Sequence, residues 1–215
     1  MSTAAQKATK ASPRLTERGR QRRHALIEAA TLTFLEHGFE GTTLDMIIDQ
    51  AGGSRGTLYS SFGGKEGLFA AVIERMIEEI FQAPGEGTAP QDSIHGVLEH
   101  YGRRFVQSLL APRTIGLYRL VVAEAPRLPK IGEAFYRLGP ERSYQLLAAR
   151  LAQLEDVQTD IETLGVIACQ FLEMLKADLF LKAVSMPDYT PAPALIEQRL
   201  QLSVKIIAQY LQGTA

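Results

Sequence analysis

The chain has 215 residues, 46% of them hydrophobic, and a formal net charge of −1, which is enough apolar content for a buried core and excludes a disordered polyelectrolyte. A single cysteine, Cys169, and the lack of any apolar run of about 18 residues argue against a disulfide-stapled secreted fold and a membrane span. The N-terminus has no apolar signal-peptide core, so a reducing, cytoplasmic setting is expected.

Charge is uneven along the chain. Residues 1–25 hold seven Lys and Arg against one acid, Glu17, a formal +6, which suits a polyanion partner at this end. Residues 1–15 are too poor in apolar side chains to fold and read as a disordered basic arm; Lys7 and Lys10 serve equally as a solubilising tail. Arg20, Arg22 and Arg23 enter the first helix, from which a flexible arm could reach phosphates or a minor groove. His37 closes that helix before Gly38, where a donor suits the helix end.

Thr43 is placed to cap a second helix, in which Leu44, Ile47, Ile48 and Ala51 recur at helical spacing up to Gly52. Ser54 then caps a two-turn helix over 55–61, too short to stand without the docking pair Leu58 and Phe62. Arg55, Thr57, Tyr59 and Ser60 are left for its outward side, and Gly56 keeps that side slim. Arginine forks onto guanine, threonine reaches a base edge or methyl, and tyrosine and serine hydrogen-bond phosphate, so this face has the chemistry of a major-groove reader. Two short motifs here mislead. Gly52-Gly53-Ser54-Arg55-Gly56 spells a hydrolase nucleophile elbow, but a helix rather than a strand precedes Ser54. Gly63-Gly64-Lys65-Glu66 lacks the upstream glycine and following Ser/Thr of a phosphate loop, so it reads as a turn and a helix start.

The segments TTLDMIIDQAG, SRGTLYSSF and GGKEGLF resemble the DNA-binding domain of the TetR family of bacterial transcriptional regulators over roughly residues 20–73. Thr42, Thr43, Ala51, Gly52, Ser54, Leu58, Tyr59, Phe62 and Lys65 fill the family's places. Two positions depart from it: Ile48 stands where the family usually has alanine, and Gly53 where it has a branched apolar residue. These two form either a compensating volume swap or a loosened turn with an altered recognition-helix angle. The resemblance implies that Arg55 and Thr57 meet bases, while Tyr59, Ser60, Thr43 and Lys65 hold phosphates, with Ser54 and Gly56 in the same interface.

Beyond residue 65 the periodicity stays helical, with no convincing strand. Helices are predicted over 65–83, 92–110, 112–124, 130–138, 140–154, 159–184 and 193–212, with Pro84-Gly85 and Pro140 among the joints. The first of these would join reader to body. Phe81, Phe105, Leu109, Leu117, Tyr118, Val121, Phe135, Tyr136, Tyr144, Phe171 and Met174 have the composition of an apolar ligand pocket, and equally that of plain core. Residues 119–143, RLVVAEAPRLPKIGEAFYRLGPERS, resemble the ligand-domain helices of the AefR-like branch, which implies relief by a lipophilic small molecule. The last two helices make rods of about 38 and 30 Å with broad apolar faces. By the family resemblance they pair across a two-fold axis as a four-helix bundle; alternatively they only close their own subunit's core. His95, Glu99 and His100 miss the spacing of a zinc-protease helix and are expected on the surface; Cys169 lies in an apolar run and reads as core.

The chain is thus expected to be all-α with about nine or ten helices: a basic arm over 1–15, a helix-turn-helix domain over 16–63 and a ligand-binding, dimerising domain over 64–215. The expected function is a homodimeric repressor on a pseudopalindromic operator, released by a lipophilic effector, with no cofactor, metal or catalytic residue. A small-molecule-binding protein with a vestigial helix-turn-helix is the alternative, supported by Ile48 and Gly53.

Overall fold

The computed structural model describes residues 16–82 and 93–213. The expected arm over 1–15, the joint at Pro84-Gly85 and the expected bounds at 83 and 92 lie outside them. The described residues form α1 (Glu17–Gly41), α2 (Leu44–Ala51), α3 (Arg55–Phe62), α4 (Lys65–Gln82), α5 (Ile94–Leu109), α6 (Pro112–Glu124), α7 (Pro129–Tyr136), a π-helical turn (Arg137–Glu141), α8 (Arg142–Leu151), α9 (Ile161–Ser185) and α10 (Pro193–Gly213). No strand occurs among them, so the all-α expectation holds.

Local chemistry explains most of the boundaries. Thr16, Thr43, Ser54, Ser93 and Asp160 each accept a hydrogen bond from the backbone N–H three residues on, satisfying a donor that the first helical turn leaves free. Pro112 and Pro129 stand at helix starts, where their missing N–H costs nothing. Gly38 turns the chain at φ 71° within α1, and one further turn carries on to Gly41.

Three details differ from the sequence expectation. Pro140 does not separate two helices; it sits in the π turn that joins α7 to α8, where the widened backbone takes the ring. Helix α8 ends at Leu151 rather than 154. Helix α9 is kinked at Ala177, with φ 30° and ψ −132°, a conformation that L residues rarely adopt.

The helices enclose two cores. One joins α1 to α4 with Leu117 and Val121 of α6 and Ile131 of α7, so the helix-turn-helix is sealed by helices from beyond it. Phe34, Phe39 and Phe69 form its aromatic centre, with Phe69 lying 5.0 Å from Phe34 and 4.9 Å from Phe39 between ring centroids. The other core joins α5, α8, α9 and α10 around Leu98, Leu147, Phe171 and Leu200.

The joint between α3 and α4 is held by a close approach. Gly63 has φ 77° and donates its N–H to the Tyr59 carbonyl, ending α3 in a left-handed cap. A Cβ on Gly67 would then lie 1.8 Å from the Phe62 carbonyl oxygen, a backbone atom that cannot step aside alone. Gly67→Ala should therefore force α3 away from α4, destabilising the fold by about 1–3 kcal/mol and lowering the melting temperature. A melt superimposable on the parent's would show that the two helices separate freely.

Candidate nucleic-acid interface and internal cavity

Helix α3 presents one side to the core and the other to solvent. Leu58 is fully buried and Phe62 packs beside it, while Arg55, Gly56, Tyr59 and Ser60 are exposed and Thr57 is half-buried. Ser54 Oγ accepts from the Thr57 N–H at 3.2 Å and lies 3.1 Å from the Thr57 hydroxyl, fixing the first turn. The Ser60 hydroxyl donates to the Thr57 carbonyl at 2.9 Å, which leaves its oxygen able to accept.

Arg55 does not project freely. Its Nε donates to Asp45 Oδ1 at 2.8 Å and its Nη2 to Asp45 Oδ2, a two-point fork from α3 to the first turn of α2. These bonds hold the Asp45 carboxyl below the usual aspartate range and raise the guanidinium above its own. Nη1 and one N–H of Nη2 point past the fork, and that edge is the one a bidentate guanine contact uses.

The start of α1 lies against this unit. The Arg22 guanidinium covers the turn between α2 and α3, where Gly52 has φ 69° and Gly53 φ 125°. A Cβ on Gly53 would meet Arg22 Nη2 at 2.8 Å. The space left by the missing side chain is therefore taken by an arginine, while Ile48 packs half-buried against the N-terminal core. Arg23 places its guanidinium 4.9 Å from the centroid of Phe62, at the end of α3. Arg20 pairs with Glu17 on the exposed first turn. Thr43 is exposed, with its hydroxyl accepting from the Met46 N–H at 3.3 Å. Lys65 folds back: its Nζ lies 4.5 Å from the Phe39 centroid and donates to the Glu40 carbonyl at 3.4 Å.

Between the two cores is a cavity of about 100 Å³. Six of the expected pocket residues line it, namely Phe81, Phe105, Leu109, Tyr118, Phe135 and Tyr144. Five do not: Leu117, Val121 and Phe171 are sealed in the cores, Met174 packs on the C-terminal core, and Tyr136 is 55% exposed. The aromatic reading missed the rest of the lining: Ile77 and Ile80 of α4, Ser108, Thr114, Gly139, Pro140, Ser143, Glu173, Lys176 and Phe180. Ser108 and Ser143 each adjoin an expected residue in sequence, so a search for polar neighbours of the aromatic positions would have found them. The Tyr118 ring meets Phe180 edge-on at 4.7 Å and Phe135 at 6.1 Å.

The polar end of the cavity is a linked group. The Tyr144 hydroxyl donates to Glu173 Oε1 at 2.8 Å, and Lys176 Nζ donates to Oε1 and Oε2 at 3.1 and 3.0 Å. Burial, and then the hydrogen bond to Glu173, push the Tyr144 hydroxyl well above its ordinary range, so it remains a donor at any physiological pH. His95 and His100 stand on α5, where Glu99 pairs with Arg103 instead, and Cys169 is half-buried. Among the described residues no group of three or more His, Cys, Asp and Glu is placed to hold a metal ion. Nor is any helix among them long and apolar enough to cross a membrane.

Residues 26–72 match the bacterial regulatory proteins of the tetR family, and residues 96–210 match the C-terminal domain of the AefR-like transcriptional repressors. The chain is 30% identical over 169 residues to the transcriptional regulator YfiR of Bacillus subtilis, covering 76% of this chain and 81% of that one. Its match to the repressor ComR of Escherichia coli, 36% identical over 81 residues, spans 37% of this chain and 38% of that relative. The match to YhgD of Bacillus subtilis likewise spans only 39% of that relative. In structure it superposes on the flavonoid-responsive regulator FrrA with a TM-score of 0.77 and 27% identity, over 91% of this chain and all of that one. A TetR-family regulator of Mesorhizobium loti gives a TM-score of 0.72 at 25% identity, over 91% of this chain and 98% of the other. The helix-turn-helix, the helical body and these matches along most of the chain place it in the TetR family of bacterial DNA-binding transcriptional regulators.

Proposed function

We propose that the protein is a cytoplasmic repressor that binds a pseudopalindromic operator as a homodimer and lets go when a lipophilic small molecule enters the cavity between its cores. The division into a reader over 16–63 and a sensing, dimerising body over 64–215 belongs to the same proposal. The observation that carries it is the double role of α4. Leu68, Phe69, Val72 and Ile73 bind this helix into the core of the reader, while Ile77, Ile80 and Phe81 form a wall of the cavity. Pockets for drug-sized ligands run to about 300–1,000 Å³, so a cavity of about 100 Å³ must widen to admit one. A wall that moves α4 moves α3 with it.

Dimer formation is supported by apolar side chains that no helix among the described residues covers. Leu202, Ile206 and Tyr210 follow one another at i, i+4 and i+8 along α10 and are 58%, 45% and 53% exposed, and Val166 of α9 is 60% exposed. Two readers related by a dyad would place their α3 helices in successive major grooves about 34 Å apart. A ligand that favours another α4 orientation breaks that spacing, provided it binds the two states unequally.

The direct test is selection of sheared genomic DNA by the purified protein at about 150 mM salt. Enrichment of a short pseudopalindrome is expected, and recovery no different from random fragments would sink the reading. On that operator, Arg55→Ala should cost about 1–3 kcal/mol at one base-pair position and relax specificity there; equal losses on operator and random DNA would remove Arg55 from base readout. Leu202→Glu combined with Ile206→Glu should give a monomer in sedimentation, with operator affinity lost alongside. A dimer unchanged by both charges would place the interface elsewhere.

The Asp45–Arg55 fork predicts a pH signature. Because the folded carboxyl is held below its unfolded value, the stability that the pair contributes is present above the ordinary aspartate range and is lost as pH falls through the lowered value. Carboxyl NMR should find Asp45 titrating below an ordinary aspartate in the parent and returning to that range in Arg55→Ala. An Asp45 titration identical in the two proteins would mean that the fork does not persist in solution.

A further inference from the structure

The chemistry of the cavity narrows what can fill it, an inference that rests on reading the cavity as the effector site. Its walls are aromatic. Phe105, Tyr118, Phe135 and Phe180 surround the space, and Tyr118 already meets two of these rings edge-on, the arrangement that a further flat ring extends. Its size is a second guide, since an enclosed apolar cavity of about 150 Å³ is filled by one benzene, and this one, partly open to solvent, measures about 100 Å³. One aromatic ring is therefore what the present shape takes with a small displacement of its walls.

The polar end decides the rest. Glu173 already accepts from Tyr144 and twice from Lys176, so both of its oxygens are engaged and the pair of charges cancels. A carboxylate entering here would lie beside Glu173, and an ammonium beside Lys176; with these side chains 40% and 30% exposed, solvent softens either like-charge approach but does not remove its penalty. A neutral hydroxyl meets neither penalty. It accepts the third N–H of Lys176 and donates to the Tyr144 oxygen, whose own proton is committed to Glu173. We propose that the cavity selects a neutral aromatic molecule bearing a hydroxyl group, a phenol in preference to an aromatic acid or amine, with the linked Tyr144, Glu173 and Lys176 as its polar recognition group.

Four single-ring probes that differ only in the head group test this on the full chain by isothermal titration near neutral pH: para-ethylphenol, ethylbenzene, para-ethylbenzoate and para-ethylbenzylammonium. The phenol should bind tightest, on the order of 5-fold better than ethylbenzene, the worth of about one net hydrogen bond. Tyr144→Phe keeps the ring but removes one of the two partners, so it should shrink that lead while leaving ethylbenzene unchanged. Glu173→Gln leaves Lys176 unpaired and should turn the preference towards para-ethylbenzoate, a reversal that mere loosening of the fold would not produce. Tighter binding of the acid or the amine to the parent protein overturns the proposal. So does a phenol lead that Tyr144→Phe leaves unchanged, or no binding of any probe at about 1 mM. Operator affinity measured in the same samples separates the two readings: a phenol that binds as described without weakening the operator complex upholds the recognition group and refutes release through this cavity.

Discussion

Helix α4 is the element on which the rest depends, because one continuous rod is buried at both ends in different company. Leu68, Phe69, Val72, Ile73, Met76 and Ile77 are each no more than 2% exposed. Burying a side chain of this kind stabilises by about 1.5–3 kcal/mol, so stripping α4 from its contacts would cost as much as the whole net stability of an ordinary domain, about 5–15 kcal/mol. That would consume the whole binding free energy of a nanomolar ligand, about 12 kcal/mol. Whatever happens in the cavity must therefore shift α4 as a body and cannot melt it. The Gly67 contact with the Phe62 carbonyl leaves α3 no slack with which to stay behind.

The reader shows how little intrinsic stability its own helices have. Helices α2 and α3 have eight residues each, well short of the length at which an isolated helix persists in water. They are held by side-chain caps at Thr43 and Ser54, by the buried Ile47 and Leu58, and by arginines of α1 laid over the turn and over Phe62. The same basic residues that give this end its positive charge thus also hold the turn. A substitution at Arg22 would change the turn geometry and the positive charge of this end together, and only the second effect is screened by salt.

The parts legible in the sequence were those written in local chemistry. Thr43, Ser54 and Pro112 announce helix starts by what they offer the first turn, and the starts of α2, α3 and α6 fall where they indicate. Pro140 misled because a proline reads as a break, whereas the surrounding helices carry it through in a π turn. Only six of the sixteen residues lining the cavity were legible, for a related reason. Phe81 and Phe171 are the same residue type at helical spacing, and only the neighbouring helices decide that one faces a void while the other is fully buried. Glu173 and Lys176 gave no sign at all, since a charged pair three residues apart on a helix is ordinarily a solvated face.

The kink at Ala177 has no signal in the sequence, yet it accounts for the place of the cavity. Before it, Leu164, Ala168, Phe171 and Leu172 pack into the C-terminal core; after it, Phe180 turns to Tyr118 of α6. Arg119 of α6 fastens the far end, its Nε and Nη2 donating to the carbonyls of Val184 and Ala183 at 2.8 and 3.0 Å, acceptors that the last turn of a helix leaves free. A straight α9 would keep its second half on the course of the first and lose these contacts with α6. A non-glycine residue at φ 30° costs about 1–3 kcal/mol, a sum that two charge-assisted hydrogen bonds and the edge-on packing of the buried Phe180 on the half-buried Tyr118 offset. The π turn with Gly139 and Pro140 lies on one border of the cavity and Lys176, one residue before the kink, on another. The space exists where two helices depart from regular geometry, and its walls are drawn from both cores.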